Sequence, residues 1–184
     1  MNWLSKNNKQ RQFRDRISNY HGSLYKHALW MTGNQDLAQD MVQETYYQAW
    51  LSVAKLQDPD KALPWLLTIL RRVIYREQRC QYRHDDTVAE LRQLDQGSAQ
   101  PDAYALLDIY RTLENLSHNQ REVLLLYNLH GFSYEEISEQ LRIPIGTVMS
   151  RISRARAALR DKPRSEDAKV IHLNEVKRGS GSDG

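Results

Sequence analysis

Residues 132–156, FSYEEISEQLRIPIGTVMSRISRAR, constrain the fold more than any other stretch of this chain. Ser133, followed three residues later by Glu136, has the capping-box pattern of serine at a helix N-cap and Glu or Gln at N3. Phe132 and Ile137 flank it at N′ and N4, where a hydrophobic staple packs. The same box appears upstream as SHNQ, with Ser117 and Gln120, so two consecutive helix starts are written locally. Apolar positions then follow at Ile137, Leu141, Ile143, Val148 and Ile152, and the small Ser138 sits where two helices must approach closely. Pro144 stands at the start of the second helix, where its missing N–H costs nothing. The spacing predicts helices over about 104–114, 118–130, 134–141 and 145–160, the last two forming a helix-turn-helix.

On the last helix Val148, Ile152, Ala155 and Leu159 make one apolar stripe, and Thr147, Ser150, Arg151 and Arg154 fall on the opposite side. These residue types suit a helix in a major groove. Arginine bonds guanine edges bidentately, and Ser or Thr bonds bases or phosphates. A plain helical hairpin whose arginines merely face water would give the same apolar pattern. The double capping, the Pro-Ile-Gly-Thr turn and the local charge favour DNA reading. From Arg142 to Arg164 there are seven arginines or lysines and one acid, Asp161.

The upstream half carries its own surfaces. A first helix is expected from about Arg14 to Met31, closed by Gly33 in a C′ position, with Asn34 capping the next helix. Leu37, Met41, Val42, Thr45, Ala49 and Val53 recur at helical spacing from Asp36 onward. QDPDKALP breaks that pattern, and Pro64 fits the first turn of a third helix over about 65–83. Its apolar face is Leu63, Leu66, Leu67, Leu70 and Ile74.

On that third helix Arg72, Arg76, Arg79 and Arg83 form a basic stripe beside Arg71, Tyr75, Gln78 and Tyr82. Arginines for phosphates next to rings for unstacked bases are what a single-stranded nucleic acid site needs, each stack contributing about 1–3 kcal/mol. A solvated helix face edged by two tyrosines fits the spacing equally well. Asp36, Asp40, Gln43, Glu44 and Tyr47 share the polar face of the preceding helix. An acidic face repels DNA. It is either solvent surface, which spacing alone favours, or a docking face for a basic protein.

Composition narrows the class. The 184 residues are 40% hydrophobic and 27% charged, a folded soluble balance. Cys80 is the one cysteine, so no internal disulfide and no cysteine-based zinc site is expected. No apolar run approaches the ~20 residues of a membrane span, and MNWLSKNNKQRQ lacks the apolar core of a signal peptide, which together predict a cytoplasmic protein. Glycine-rich phosphate loops, G-x-S-x-G and paired histidines at metal spacing are all missing from the sequence, so neither an enzyme nor a cofactor or metal is expected. The organisation expected is all-α. A basic arm over 1–13 leads into a helical domain over 14–83, and an acidic flexible linker over 84–103 connects it to a helix-turn-helix domain over 104–162. A polar tail over 163–184 is expected to be disordered.

Taken together, LYKHALWMTGNQDLAQDMVQETYYQAW, PWLLTILRRVIYREQR and LENLSHNQREVLLLYNLHGFSYEEISEQLRIPIGTVMSRISRARAALR resemble the bacterial RNA polymerase sigma factors of the extracytoplasmic function (ECF) type. The likeness covers about residues 14–161. It implies two helical domains bound to core RNA polymerase, the first recognising and helping to melt the −10 promoter element and the last reading the −35 element. Under it Asp36, Asp40, Gln43 and Glu44 become candidates for docking on the clamp of the largest polymerase subunit. Arg71, Arg72, Tyr75, Arg76 and Arg79 become −10 candidates. Thr147, Ser150, Arg151 and Arg154 become −35 readers, in a domain that also contacts the β-subunit flap.

The family is usually held inactive by an anti-sigma factor, and its members direct polymerase to stress or envelope promoters. Four positions depart from its usual pattern: Arg72 for asparagine, Gln39 for glutamate, Arg142 for the glycine of the turn and Met149 for lysine. A left-handed arginine at 142 would carry about 1 kcal/mol of strain. The alternative reading is a free-standing helix-turn-helix regulator that binds duplex DNA without polymerase.

Overall fold

The computed structural model describes residues 17, 19–53, 56, 58–84 and 109–160, with side chains omitted at 59 and 80–84. The N-terminal arm, the first residues of the expected first helix, the linker from 85 on, the start of the 104–114 helix and the tail lie outside the described residues. Every regular element among the described residues is helical, as expected. The chain divides into two compact units between Asp108 and Ile109.

In the first unit α1 runs His21–Thr32, α2 Gln35–Leu51 and α3 Ala62–His84. The expected single helix from 14 is not continuous. Ile17 is helical, but Asn19 and Tyr20 form a turn in which the Tyr20 amide donates to the Ile17 carbonyl at 3.0 Å. Asparagine competes for its own backbone and favours turns over helix interiors, a local preference that the long apolar pattern concealed. The α1–α2 junction follows the expected chemistry. Gly33 takes the left-handed conformation at φ 73°, and Asn34 Oδ1 accepts from the Leu37 amide at 2.9 Å.

The three helices pack against one another around Leu24, Leu29, Trp30, Val42, Leu66, Leu70 and Ile74, all essentially sealed from solvent. Trp30 is the largest of the fully buried side chains, and a tryptophan of this kind dominates a small core. Thr45, placed by periodicity on the apolar stripe, is fully buried because its hydroxyl donates to the Met41 carbonyl at 2.7 Å. Tyr46 ties the chain before α1 to α2: its hydroxyl donates to the Ile17 carbonyl at 3.1 Å, and burial pushes its phenol up to about 12. The third helix begins at Ala62, earlier than expected. Pro64 therefore sits third, still among the first four residues, whose N–H groups have no intrahelical partner.

In the second unit residues 109–113 are helical, and α4 runs His118–Asn128, α5 Tyr134–Leu141 and α6 Ile145–Arg160. Both capping boxes form in full. Ser117 with Gln120 and Ser133 with Glu136 each exchange bonds between side chain and backbone in both directions. The α4 helix stops two residues before the expected 130, where Gly131 turns left-handed at φ 72°. Leu125, Ile137, Val148 and Ile152 form the sealed centre of this unit. Leu159, assigned to the same stripe, is only half-buried at the helix end.

Arg121 is an unexpected member of this core at 8% exposure, beside Glu122 at 2%. From the first turn of α4 it reaches back over the connecting loop. Its Nε donates to the Leu113 carbonyl at 3.2 Å, and its Nη2 to the Glu114 and Leu116 carbonyls at 3.1 and 3.4 Å. The guanidinium also lies over the Tyr110 ring, 5.2 Å from its centroid. One cation thus caps the carbonyl end of the preceding helix, where the backbone dipoles present negative charge.

Candidate nucleic-acid interface

The α5–α6 turn is built by the backbone. Arg142 closes α5 in the left-handed conformation at φ 55°, ψ 47°. Its amide donates to the Glu139 carbonyl at 3.3 Å, and the Ile143 amide donates to the Ser138 carbonyl at 3.1 Å, the paired bonds of a Schellman ending. Ser138 does more than leave room. Its hydroxyl donates to the Ile143 carbonyl at 2.6 Å and pins the turn to α5. Pro144 precedes α6 and accepts from the Thr147 and Val148 amides at 2.8 and 3.2 Å, so it acts as the N-cap.

With the turn fixed, α6 buries Val148, Ile152 and Ala155. Thr147, Ser150 and Arg151 are half-buried, and Arg154 is exposed. Spaced i, i+3, i+4 and i+7, they share one face of the helix. Neither Arg151 nor Arg154 has a side-chain partner among the described residues, so both guanidiniums keep their full donor capacity. Ser150 instead donates to the Thr147 carbonyl at 3.0 Å, which leaves its oxygen to act as an acceptor. Arg156, not among the residues singled out by sequence, stacks over Tyr127 at 5.2 Å. Met149 stays 52% exposed on α6.

In the first unit the arginines of α3 are not equivalent. Arg72 and Arg79 are exposed and without a side-chain partner among the described residues. Arg71 lies over Tyr75, its guanidinium 5.1 Å from the ring centroid. One face of the ring expected to stack on a base is therefore already occupied by a cation. Arg76 donates to Glu44 Oε1 at 3.1 Å across α2 and α3. The expected stripe side chains of Tyr82 and Arg83 lie outside the described residues.

The polar face of α2 is likewise divided. Asp36, Asp40 and Gln43 are exposed, whereas Glu44 is half-buried and bonded on two sides. The bond from Gln48 at 2.9 Å and then that from Arg76 hold its carboxyl below the ordinary 4.5. Sequence spacing placed Glu44 and Arg76 on two separate surfaces, and the structure joins them through one ion pair. Beyond the acids this end of α2 turns apolar: Tyr47, Trp50 and Leu51 are 57%, 47% and 62% exposed. Trp50 and Leu51 were missed because they follow the last residue of the acidic pattern. Their signal is the spacing Gln43, Tyr47, Trp50 and Leu51 along one side.

Among the described residues no group of His, Cys, Asp or Glu could hold a metal ion, and no helix is long and apolar enough to cross a membrane.

Comparison with known proteins covers both units. The family model for sigma-70 region 2 matches residues 17–84, and that for sigma-70 region 4 matches residues 106–159. The ECF RNA polymerase sigma factor EcfG of Rhodopseudomonas palustris is 34% identical over 142 residues, 74% of this chain and 77% of that protein. SigW of Bacillus subtilis, another ECF sigma factor, is 30% identical over 169 residues, 84% of this chain and 90% of its own. Among solved structures, the sigma factor RpoE from Bartonella quintana, in complex with the anti-sigma factor NepR, aligns with a TM-score of 0.68 at 28% identity. That alignment covers 91% of this chain and 99% of the other. CnrH in complex with the cytosolic domain of CnrY gives 0.61 at 26% identity over 82% and 86%.

Proposed function

The chain belongs to the extracytoplasmic function sigma factors, promoter-specificity subunits of RNA polymerase, and from that premise we propose how its surfaces divide the work. The observation that carries the assignment is the pair of arginines, Arg151 and Arg154, without a side-chain partner among the described residues, on one face of a recognition helix that starts at the Pro144 N-cap. They sit downstream of a unit that joins a basic, tyrosine-bearing face to an acidic one. Thr147, Ser150, Arg151 and Arg154 read the −35 duplex from the major groove. The arginines are suited to guanine edges, and Ser150, its proton already engaged, accepts from a base amino group.

Arg71, Arg72, Tyr75, Arg76 and Arg79 engage the −10 element. Arg72 and Arg79, without a side-chain partner among the described residues, meet phosphates first. Tyr75 offers a ring to an unstacked base, with Arg71 on its other face strengthening the stack. Asp36, Asp40, Gln43 and Glu44 dock on a basic surface of the polymerase clamp. Tyr47, Trp50 and Leu51 extend that contact with the apolar area a stable interface needs. The region-4 unit also meets the β flap. Functional boundaries fall at about 14–83 and 104–162, with 84–103 as the connecting linker.

The protein works in the cytoplasm without chemistry of its own and directs polymerase to a stress or envelope regulon. An anti-sigma factor holds it in reserve. The complexes of RpoE with NepR and of CnrH with CnrY support that last assignment.

Transcription by purified core polymerase on genomic fragments tests the reading. Start-specific transcripts are expected only when core and this protein are both present. Tight duplex binding by the protein alone, with no promoter-dependent transcript from any fragment, would sink it in favour of a free-standing regulator.

A further inference from the structure

Arg142 is the only non-glycine residue with positive φ among the described residues. Its backbone makes the turn between α5 and α6, and that work needs no side chain. The bonds from the Arg142 and Ile143 amides and from the Ser138 hydroxyl would form as well with glycine, which enters the left-handed region without steric cost. The guanidinium makes no contact that holds the turn among the described residues. It is exposed and has neither hydrogen bond, ion pair nor ring partner among the described residues, although Glu139 lies only three residues earlier. A strained backbone carrying an idle, fully charged side chain points to work done outside the chain.

The position says what that work is. Arg142 stands two residues before the N-cap Pro144 of α6, and the first turn of α6 is open, with Ile145 and Gly146 both exposed. A recognition helix enters the major groove by its N-terminal end, so a residue just before that end lies at the groove's rim, beside the sugar-phosphate backbone rather than the bases. From Arg142 to Arg160 the chain carries five arginines and no acid. The local potential therefore favours an anion there. Arginine matches paired phosphate oxygens with a planar fork of donors.

We infer that Arg142 is a DNA phosphate contact at the rim of the −35 site, and that its strained conformation is retained for that contact. The inference rests on the −35 reading of α6, and the experiment separates the two. Holoenzyme carrying Arg142→Gly, Arg142→Lys, Arg151→Ala or Arg154→Ala is measured on promoter duplexes, with cognate and substituted −35 elements, over a salt series. The same variants are melted as free protein.

Arg142→Gly is expected to weaken binding about 3- to 10-fold on all duplexes alike and to reduce the salt slope by ~0.9, the loss of one neutralised phosphate. Its free-protein melting temperature should hold or rise by a few degrees. Arg142→Lys, a point charge in place of the fork, should restore most of the slope. Unchanged affinity and slope in Arg142→Gly, while Arg151→Ala and Arg154→Ala lose sequence-dependent affinity, overturns the phosphate contact and leaves the −35 reading standing. A loss confined to one base-pair substitution overturns it too, by making Arg142 a base reader. A melting temperature that falls by more than a few degrees assigns Arg142 to the fold instead. If neither Arg151→Ala nor Arg154→Ala changes binding, the −35 reading itself fails, and the inference goes with it.

Discussion

Replacing Arg121 should unfold the second unit selectively. Arg121→Met keeps the apolar stem but removes all three bonds to the Leu113, Glu114 and Leu116 carbonyls and the contact with Tyr110. A hydrogen bond to a charged donor is worth about 1.5–3 kcal/mol, but three drawn from one group do not add independently. The Glu114 carbonyl can return to water and the Leu113 carbonyl keeps its bond from the Leu116 amide at 2.9 Å, whereas the buried Leu116 carbonyl loses the Arg121 donor. The net loss is about 3 kcal/mol, which in a domain of this size lowers the melting temperature by ~12 °C or more.

The four tryptophans, Trp3, Trp30, Trp50 and Trp65, all precede the boundary between the units. Tryptophan fluorescence of the full chain therefore follows the first unit, while amide hydrogen exchange over α4–α6 follows the second. Arg121→Met should strip protection from α4–α6 and leave the fluorescence transition in place. Arg121→Lys should recover less than half of the loss, because one ammonium cannot reach three carbonyls together. A loss below about 1 kcal/mol, or full recovery with lysine, would refute the capping argument.

Alanine at Arg151 or Arg154 should cost about 1–3 kcal/mol at one base pair of the −35 element and little elsewhere, measured by holoenzyme binding to single-substitution duplexes. Asp40→Lys should weaken binding to core polymerase, read by competition with a labelled sigma factor. Equal binding would leave the α2 face as solvent surface. Tyr46, with its phenol raised to about 12, favours the fold fully below pH ~10 and loses that contribution as pH rises towards its folded value. Alkaline titration should thus show a late-ionising tyrosine that Tyr46→Phe removes.

The parts of this molecule read most directly from sequence are those whose causes are local. A capping box needs four residues, and both boxes were visible before any helix was placed. The left-handed glycine and the asparagine cap between α1 and α2 are of the same kind. Apolar spacing likewise found Leu66, Leu70 and Ile74, because each faces the core at helical period whatever it packs against.

Long-range pairings left no such trace. Glu44 and Arg76 are separated by 32 positions and belong to different patterns, so nothing in either pattern announces the other. Arg121 looked like any charge on an amphipathic helix, and arginine is seldom buried. Its burial depends on how the loop from Glu114 to Leu116 folds over it, which is decided by tertiary packing. The break at Asn19–Tyr20 lies between the two cases. Turn propensity was present in the sequence, but a continuous helical period outweighed it.

The ion pair between Arg76 and Glu44 also changes how the basic helix should be counted. A phosphate arriving at Arg76 does not meet a bare cation; it competes with a carboxylate already bound at 3.1 Å. Binding there is an exchange of one anion for another, and its net free energy is a difference between two similar terms. A tally of arginines on α3 therefore overstates its attraction for an anion, and under the proposed −10 role Arg72 and Arg79 would carry more of it than their number suggests. The exchange also runs in reverse. Whatever draws Glu44 away, a basic partner on α2 or protonation below its lowered carboxyl range, frees Arg76 to take another anion. The two faces of this unit thus share one charge between them, and occupancy of either is felt by the other.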